Sequence, residues 1–358
     1  MKKKLTFLGI ETSCDETAAA VIQENDDGSA KILSNVVSSQ IEVHKKFGGV
    51  VPEIAARAHV ENIEFIINKA LDESKISIKD IDGVAATAGP GLIVCLTVGL
   101  NIGKSIAAFG KKPFIAVNHL EGHALSPGLD NKMQFPYLLL LISGGHSQYL
   151  IVEDIDTYKQ LGTTIDDALG EAFDKTAKML NLGYPGGPSV EKFAKLGDKN
   201  FYKLPEPIIN KAGCNLSFAG LKTAVLRKAK KINNNEKLRY NLAASFQETI
   251  NKILKKKTLV AMKEFKKITR KEKSNFVVAG GVAANKSIRK SLIEVSNSMN
   301  FNPIFPDPKF CGDNAAMIAW AGIQRFKKNL IDDVDVSAKS RWPLDADAPY
   351  MKGPGLKL

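Results

Sequence analysis

The chain has 358 residues, 44% hydrophobic and 25% charged, which predicts a soluble globular protein with two sizeable cores. No apolar run is expected to approach the length of a membrane span. The segment Met1–Ile10 lacks the apolar core and cleavage site of a signal peptide, so a cytoplasmic location without membrane contact is predicted. Four widely separated cysteines without CxxC spacing indicate neither a zinc knuckle nor a disulfide framework.

The net charge of +12 is concentrated in one region of the chain. Between Lys222 and Lys273 there are 17 Lys and Arg and four Glu, a net charge of +13, so the rest is nearly neutral. Clustered lysines at helix-like spacing are typical of surfaces that bind a phosphate backbone. Two alternatives remain for this region. It could be a solvated helical face, which the nearby run Asn233–Asn235 favours, or a docking face for a partner subunit.

In chain order, the first predicted unit is a strand ending at Ile10, a tight polar turn through Asp15, and a strand over residues 18–22. Polar residues at such a turn can direct backbone N–H groups at an anion. Four further elements follow in this half: a helix over residues 55–71, a strand over 84–87, a helix over 97–109 and a strand over 114–117.

Two of the five histidines in the chain, His119 and His123, then lie four residues apart. On a helix this spacing puts both imidazoles on one face, within reach of a single metal ion. Asp313, far downstream, is expected to supply a carboxylate as third ligand, leaving positions open for substrate as a catalytic metal requires. Packing or capping of a helix is the alternative role of the two histidines.

The second half repeats the pattern of the first. The strand Tyr137–Ile142, the turn Ser143–His146 and a strand to Val152 echo the opening unit. A Gly- and Pro-rich loop at 183–188 is predicted to open a helix at Ser189. A buried strand, the pair Gly280–Gly281 and a helix with Asn285 in its first turn follow.

Strands that alternate with helices predict an α/β protein with crossover connections, and the echo predicts a duplicated, two-lobed architecture. The expected N-terminal lobe is 1–117, with 326–358 packing back on it. The second lobe is 118–325, with the metal site and a nucleotide site. Glycine-rich turns at strand ends predict a nucleotide cleft between the lobes, and the absence of GxxxxGK[ST] and GxGxxG patterns sets aside the P-loop and Rossmann folds.

Several long motifs carry a resemblance to a known family, and the match runs from about residue 5 to about residue 325. The chain resembles the bacterial type of the tRNA threonylcarbamoyladenosine transferase family, once labelled O-sialoglycoprotein endopeptidases. The resemblance implies an actin, heat-shock ATPase and sugar kinase type of fold. The matching segments are residues 9–17, 118–123, 143–146, 166–175, 184–188, 217–222, 280–285 and 311–314.

The resemblance implies an acyltransferase that acts in tRNA modification. Such an enzyme moves a threonylcarbamoyl group from threonylcarbamoyl-AMP to the exocyclic amine of adenosine 37, in tRNAs reading codons that start with A, and releases AMP. It also implies one divalent transition metal per chain on His119, His123 and Asp313, with Fe(II) favoured over zinc. Asp15 and Glu16 are candidates for the base that takes the amine proton, although they could equally serve metal-bound waters or cap the turn.

The positions that match the family's adenylate site lie in the second half of the chain. Carboxylates there are expected to accept ribose hydroxyls, Asn285 to meet the adenine edge or ribose, and Ser143 with the glycine amides to face the phosphate. The matching residues are Ile142, Ser143, Gly144, Gly145, His146, Asp174, Gly187, Glu191 and Asn285.

Other functions fit these motifs less well. A metalloprotease needs HExxH, whereas Glu121 follows His119 by two residues, roughly 200° around a helix. A small-molecule kinase or ATPase of the same fold is the alternative, but it has no need of His119 and His123; a non-catalytic scaffold would be expected to lack the metal ligands. The resemblance implies two protein partners besides tRNA, a paralogous subunit of the same fold and a small ATPase. Organelle relatives act instead as homodimers. The absence of a transit-like leader favours the bacterial arrangement with partners.

Overall fold

The computed structural model describes residues 4–232 and 235–349. The basic start at 1–3, Asn233 and Asn234, and the end at 350–358 lie outside the described residues. The chain divides into two compact units. The first comprises Met1–Met133, Asp154–Thr157 and Gly312–Ala346, and the second comprises Gln134–Glu153, Tyr158–Cys311 and Asp347–Leu358.

Ten strands form two five-stranded sheets in the described part of the chain. The first sheet has the order β3-β2-β1-β4-β5 and the second the order β10-β9-β6-β7-β8. The strands are β1 (Thr6–Glu11), β2 (Glu16–Glu24), β3 (Ala30–Ser39), β4 (Gly83–Gly89), β5 (Phe114–Asn118), β6 (Tyr137–Ile142), β7 (Ser147–Asp154), β8 (Thr157–Thr163), β9 (Ser274–Ala279) and β10 (Phe301–Ile304).

The two sheets have the same topology. The central strand β1 pairs antiparallel with β2 and parallel with β4, and the central strand β6 pairs antiparallel with β7 and parallel with β9. The outer strands β5 and β10 add in parallel to β4 and β9. The duplicated α/β architecture predicted from the sequence is therefore confirmed. The strands β3, β8 and β10, which carry mixed polar patterns, were not predicted.

Ten α-helices connect and cover the strands of the described residues. They are α1 (Ile41–Lys45), α2 (Pro52–Ser74), α3 (Ile93–Gly110), α4 (His119–Leu125), α5 (Leu169–Met179), α6 (Gly186–Ala194), α7 (Ala219–Ala229), α8 (Glu236–Thr269), α9 (Lys286–Ser298) and α10 (Ala315–Lys327). Short 3-10 helices occupy Ser126–Leu129, Gly281–Ala284 and Pro308–Phe310.

Helix α10 belongs to the first unit, although it lies late in the chain. It packs on β1, β2 and β4 and contacts α4. Gly9 permits this close approach, because a Cβ there would lie 2.4 Å from the carbonyl oxygen of Ala315. The lobe boundaries predicted at 117/118 and 325/326 therefore differ from the observed division, in which α4 and all of α10 group with the first sheet.

Helix α3 corrects one expectation from the sequence. Its 18 residues have a mean hydropathy of 1.6, so by length and composition it could cross a membrane. One face of the helix, including Leu96, Leu100 and Ala107, is buried against β4 and α2. On the same helix Lys104 donates a hydrogen bond to the carbonyl of Val336. Through these contacts one face of α3 packs into the core of the first unit.

The core of the second unit forms around the central strand β6 and the long helix α8. Every residue of β6 is buried. Helix α8 runs for 34 residues and begins at the N-cap Asn235, whose side chain accepts a hydrogen bond from the backbone of Leu238. Its buried face supplies Phe246, Ile250 and other apolar side chains to the core.

Candidate functional site

Helix α4 presents the two histidines of the first unit. Asn118 caps the helix by accepting a hydrogen bond from the backbone of Leu120, 2.9 Å away. His119 and His123 lie one turn apart, and their rings meet edge to face with centroids 4.7 Å apart. Both side chains are buried. The predicted placement of the two imidazoles on one helical face is confirmed.

Asp313 approaches both imidazoles from the loop before α10. Its Oδ1 lies 3.0 Å from Nε2 of His123 and 3.4 Å from Nε2 of His119. Asn314, the next residue, caps α10 by accepting a hydrogen bond from Met317 and so fixes this loop. Ligand atoms of the two histidines and Asp313 all lie within 4.8 Å of one another, and this cluster could hold a metal ion.

Glu11, at the end of β1, orients His119 from behind the cluster. Its Oε2 lies 3.1 Å from Nδ1 of His119, and its carboxylate also accepts hydrogen bonds from Ser13 and Thr87. An Nδ1–H that donates to Glu11 leaves Nε2 of His119 facing Asp313. The sequence motif contained Glu11, but nothing in its spacing indicated that it would reach a histidine 108 positions away.

The electrostatics of this cluster suit a cation. Glu11 is buried and Asp313 is half-buried. Burial raises the pKa of Asp313, but the neighbouring imidazoles outweigh it and hold that pKa well below its usual range. Burial disfavours the charged form of His119, yet Asp313 and Glu11 raise the pKa of His119 well above its ordinary value. Two imidazole nitrogens and one carboxylate oxygen are donors that a divalent transition metal accepts, so the residues present fit such an ion.

Glu121 lies on the opposite side of α4 from the histidine face. Its Oε2 is 2.9 Å from a guanidinium nitrogen of Arg325, and its Oε1 accepts a hydrogen bond from the backbone of Asp156 at 3.0 Å. The same guanidinium nitrogen lies 2.6 Å from the Asp156 carboxylate. This buried ion pair holds Glu121 away from Asp313, as the HLEGH spacing predicted, and the arrangement is not that of an HExxH protease.

Of the two candidate base residues, Asp15 lies in the turn between β1 and β2 of the same unit and Glu16 is the first residue of β2. Burial raises the pKa of Glu16 well above its usual range, and the nearby carboxylates Asp313 and Asp15 raise it further. The backbone carbonyl of Asp15 accepts a hydrogen bond from Gln40 at 3.0 Å. The hydroxyl of Ser13, just before this turn, contacts Nδ1 of His119 at 3.2 Å, and both carboxyl groups stay candidates for the proton acceptor.

In the second unit, the predicted phosphate turn follows Ile142 at the end of β6. Ser143 and His146 close the turn through two hydrogen bonds of 2.8 and 3.1 Å. Gly280, at the end of the parallel strand β9, has a φ of +91°, and a Cβ there would lie 2.5 Å from the Ile142 carbonyl. The exposed Gly144 and Gly145 therefore lie at the carboxyl edge of two parallel strands, where α/β proteins commonly bind ligands.

Helices α5 and α6 bring two predicted carboxylates to this unit. Asp174 on α5 accepts a hydrogen bond from the backbone of Gly186 at 2.8 Å, and Gly187 beside it has open space where a Cβ would lie. Glu191 on α6 accepts a hydrogen bond from the backbone of Lys286 at 3.0 Å. Each carboxylate thus accepts a hydrogen bond from the backbone at the start of another helix, α6 for Asp174 and α9 for Glu191.

The sequence predicted Asn285 in the first turn of a helix. In the structure Asn285 is instead the N-cap of α9 and follows a 3-10 turn. Its Oδ1 accepts a hydrogen bond from Ile288 at 3.0 Å, and its Nδ2 donates to Gln247 at 2.9 Å. A structural role is therefore built into Asn285 in addition to the adenylate contact predicted from the sequence.

The basic region from Lys222 to Lys273 is partly neutralised or buried. Lys257 is fully buried on α8, where its ammonium donates to the carbonyls of Lys211 and Gly213 at 2.9 and 3.1 Å. Two further lysines pair with glutamates, Lys255 with Glu294 at 2.8 Å and Lys266 with Glu272 at 2.9 Å. From residue 252 to the end of this helix, the exposed lysines are Lys252, Lys256, Lys263 and Lys267.

The comparison with protein families decides the class of this chain. Residues 31–320 match the family model of tRNA N6-adenosine threonylcarbamoyltransferase. The chain belongs to this family. A protein of that name from Pelagibacter ubique is 60% identical over 358 residues, covering 100% of each chain. Another from Bartonella tribocorum is 51% identical and covers 98% of each chain.

Solved structures support the fold. HypF of T. kodakarensis matches 92% of this chain and 48% of its own with a TM-score of 0.60 at 13% sequence identity. Full-length HypF in a phosphate- and nucleotide-bound form matches 92% of this chain and 47% of its own with a TM-score of 0.57 at 13% identity. At these identities the likeness concerns the fold alone. The predicted fold class, the duplicated actin and sugar kinase type, is confirmed.

Proposed function

We propose that this protein is an acyltransferase that modifies tRNA, placing a threonylcarbamoyl group on the exocyclic amine of adenosine 37. Family membership over residues 31–320 carries the proposal. The cluster of His119, His123 and Asp313 supports it, because a kinase of the same fold has no use for this donor set. The proposed donor is threonylcarbamoyl-AMP, with AMP as the leaving group.

The chemistry asks the chain to orient two substrates and to stabilise developing charge. The amine is a weak nucleophile, because its lone pair is delocalised into the adenine ring, and the mixed anhydride of the donor supplies the driving force. Orientation and preorganised charge are then the contributions left to the protein. A carboxyl group of Asp15 or Glu16, in the turn near Asp313, is the proposed acceptor of the amine proton.

The proposed metal ligands are Nε2 of His119, Nε2 of His123 and a carboxylate oxygen of Asp313. When bound, a divalent transition ion there would supply Lewis-acid polarisation of an acyl oxygen. We favour Fe(II) over zinc, although two imidazoles and a carboxylate suit either. Asp313 and Glu11 raise the pKa of His119, so an ion at Nε2 would compete with a proton for that nitrogen.

The adenylate of the donor is assigned to the second unit. The exposed amides after Ile142 would face its phosphate, and Asp174 and Glu191 would accept its ribose hydroxyls. Gly187 supports the assignment, because the space beside it is open to a ligand. The proposed contacts are Ile142, Ser143, Gly144, Gly145, His146, Asp174, Gly187, Glu191 and Asn285.

The proposed contact with the tRNA backbone is the lysine stripe of α8, defined as Lys252, Lys256, Lys263 and Lys267. These residues fall within an arc of about 60° and span about 22 Å along the helix. All four are exposed, whereas the buried Lys257 cannot contact RNA. A row of cations of this length suits several successive phosphates of a folded polyanion.

A paralogous subunit of the same fold and a small ATPase are the proposed protein partners, in the cytoplasm. An apolar groove of about 750 Å³ between α2 and α3 offers the first unit a surface for one of them. Its apolar lining includes Pro52, Ala56, Val60, Val94 and Val98.

Nucleoside analysis of tRNA from cells depleted of this protein tests the function. The modified nucleoside is expected to disappear and to return with the parent gene but not with His119→Ala. A double change at exposed residues, Lys75→Gln with Lys79→Gln, serves as the control and is expected to restore it. An unchanged level of the nucleoside after complete depletion would exclude the proposed activity.

A further inference from the structure

Two histidines outside the metal cluster, His44 and His59, are fully buried in the first unit. A single side chain, Gln40, joins them. Nε2 of His44 lies 3.1 Å from Oε1 of Gln40, and Nε2 of Gln40 lies 3.3 Å from Nδ1 of His59. Neither histidine has a role in the proposed binding of metal, donor or tRNA.

The neighbours of His44 fix its tautomer. The backbone N–H of Val51 donates to Nδ1 of His44 at 3.3 Å, so that nitrogen carries no proton. The proton therefore sits on Nε2, which donates to Oε1 of Gln40. The orientation of the Gln40 amide is fixed as well, because its Nε2 end also faces the carbonyl of Ala55 at 3.4 Å.

The hydrogen bonds of His59 fix its tautomer as well. Its Nδ1 accepts from the amide of Gln40 and from the hydroxyl of Thr17, which lies 2.8 Å away. The proton is left on Nε2, which donates to the backbone carbonyl of Cys14 at 3.0 Å. Burial lowers the pKa of His59, which favours the neutral ring that this pattern requires. Donors and acceptors thus run in one direction from Val51 to Cys14.

The hydrogen-bonded chain ends at the turn Cys14–Glu16. This turn is held at one further point, since the backbone N–H of Gln40 donates to the Asp15 carbonyl. Just before the turn, Ser13 contacts Nδ1 of His119 at 3.2 Å. The conformation of the turn therefore sets where the Asp15 and Glu16 side chains lie relative to the histidine cluster.

We propose that His59, held in one tautomer by Gln40 and His44, is a positioning residue that fixes the Cys14–Glu16 turn for acyl transfer. Within the described residues, the hydrogen bonds of His59 do not reach the cluster of His119, His123 and Asp313, so it acts through the carbonyl of Cys14. The inference rests on the proposed transferase function and adds residues to its machinery.

Nitrogen-15 NMR of histidine-labelled full-length protein tests the hydrogen-bond direction without any assay of activity. The chain has only five histidines, so His44→Gln and His59→Gln variants assign the two signals. At neutral pH both rings are expected to carry one proton, on Nε2, with a bare Nδ1. A proton on Nδ1 of His59, or two protons on its ring, would overturn the proposal.

Kinetics of the transfer reaction test the positioning role. His59→Leu removes all three hydrogen bonds of His59, to Gln40, Thr17 and Cys14, and is expected to lower kcat by about tenfold or more through misplacement of the turn. His59→Gln retains an acceptor and a donor and should recover most of the loss. The KM values for tRNA and donor should stay within about twofold, because His59 meets neither substrate.

Ile63→Val on the same buried face of α2 is the matched control, since it loosens packing without touching the chain of hydrogen bonds. If Ile63→Val lowers kcat as much as His59→Leu at equal loss of thermal stability, the role of His59 is structural only and the inference fails. If the parent protein itself transfers no acyl group, the proposed function fails, while the NMR result still decides the tautomers.

Discussion

Glu11 determines which nitrogen of His119 is free to face Asp313. The carboxylate lies 3.1 Å from Nδ1, and the resulting hydrogen bond leaves Nε2 available to an ion. Carboxylates that hold the far nitrogen of a ligating histidine fix its orientation and raise its basicity. Among single residues, Glu11 is thus the one that most directly orients a proposed metal ligand.

The substitution Glu11→Gln tests whether the Glu11 carboxylate strengthens metal binding by His119. The change keeps the size of the side chain but removes its charge, so the affinity of the protein for the transition metal is expected to fall by about 10- to 100-fold. Competition with a chromogenic chelator measures the affinity, and Glu53→Gln on the exposed face of α2 is the control. Equal affinities of Glu11→Gln and the parent would remove Glu11 from the site.

His59 makes stability depend on pH in a predictable direction. Burial lowers the pKa of the folded His59 below its value of about 6.5 in the unfolded chain. Its contribution to stability is therefore complete above about pH 6.5 and is lost as the pH falls towards the folded pKa.

Thermal unfolding at pH 7.5 and pH 5.0 tests that direction. The parent protein should lose more of its Tm on acidification than His59→Gln, because the variant has no ring at position 59 that must stay neutral. The two proteins share every other titrating group, so their difference isolates His59. Equal losses of Tm would contradict the assignment of a neutral, buried His59.

Predictions about single residues succeeded where the spacing between two residues in the sequence determines their relative position. The interval between His119 and His123 predicted one helical face, and the structure has it. The contacts of Glu11 with His119 and of His59 with Cys14 could not be predicted, because they join positions 108 and 45 residues apart that only the packing brings together. Asn285 was misplaced by one position, because a 3-10 turn precedes its helix.

At the scale of elements, α8 shows how helical periodicity sorts a run of lysines. Of the adjacent Lys255, Lys256 and Lys257, one pairs with Glu294, one is exposed and one is buried. Sequence correctly placed the charge on a helix, but it could not tell these three environments apart. The effective cationic surface is the lysine stripe, which continues along the helix.

Replacing all four residues of the lysine stripe by glutamine tests its interaction with tRNA. Affinity for different tRNAs is expected to fall uniformly, and the slope of log K against log salt should flatten by about one unit for each ion pair with a phosphate that the change removes. Turnover at saturating tRNA should survive. A second variant, with Lys31, Lys75, Lys79 and Lys111 changed to glutamine, carries the same change of charge elsewhere; if both variants bind tRNA alike, the stripe is only a solvated face.

At the scale of the whole molecule, the duplication is the most economical account of the sequence pattern. Two sheets of identical topology follow from two strand-turn-strand openings, each with two parallel strands added later. The apolar runs of β1, β2, β6 and β7 were long enough to predict. The membership of α4 and α10 in the first unit could not be predicted from the sequence, because it depends on the packing of α10 against Gly9 rather than on chain order.

Transfer by the purified protein tests the central claim most directly. Threonylcarbamoyl-AMP labelled in its threonine is incubated with metal-loaded protein, the proposed partner subunits and tRNA with either adenosine or guanosine at position 37. We predict label in the adenosine tRNA, one AMP released per group transferred, and no label in the guanosine tRNA. Equal labelling of both tRNAs, or no labelling while the protein phosphorylates small alcohols from ATP, would contradict the account.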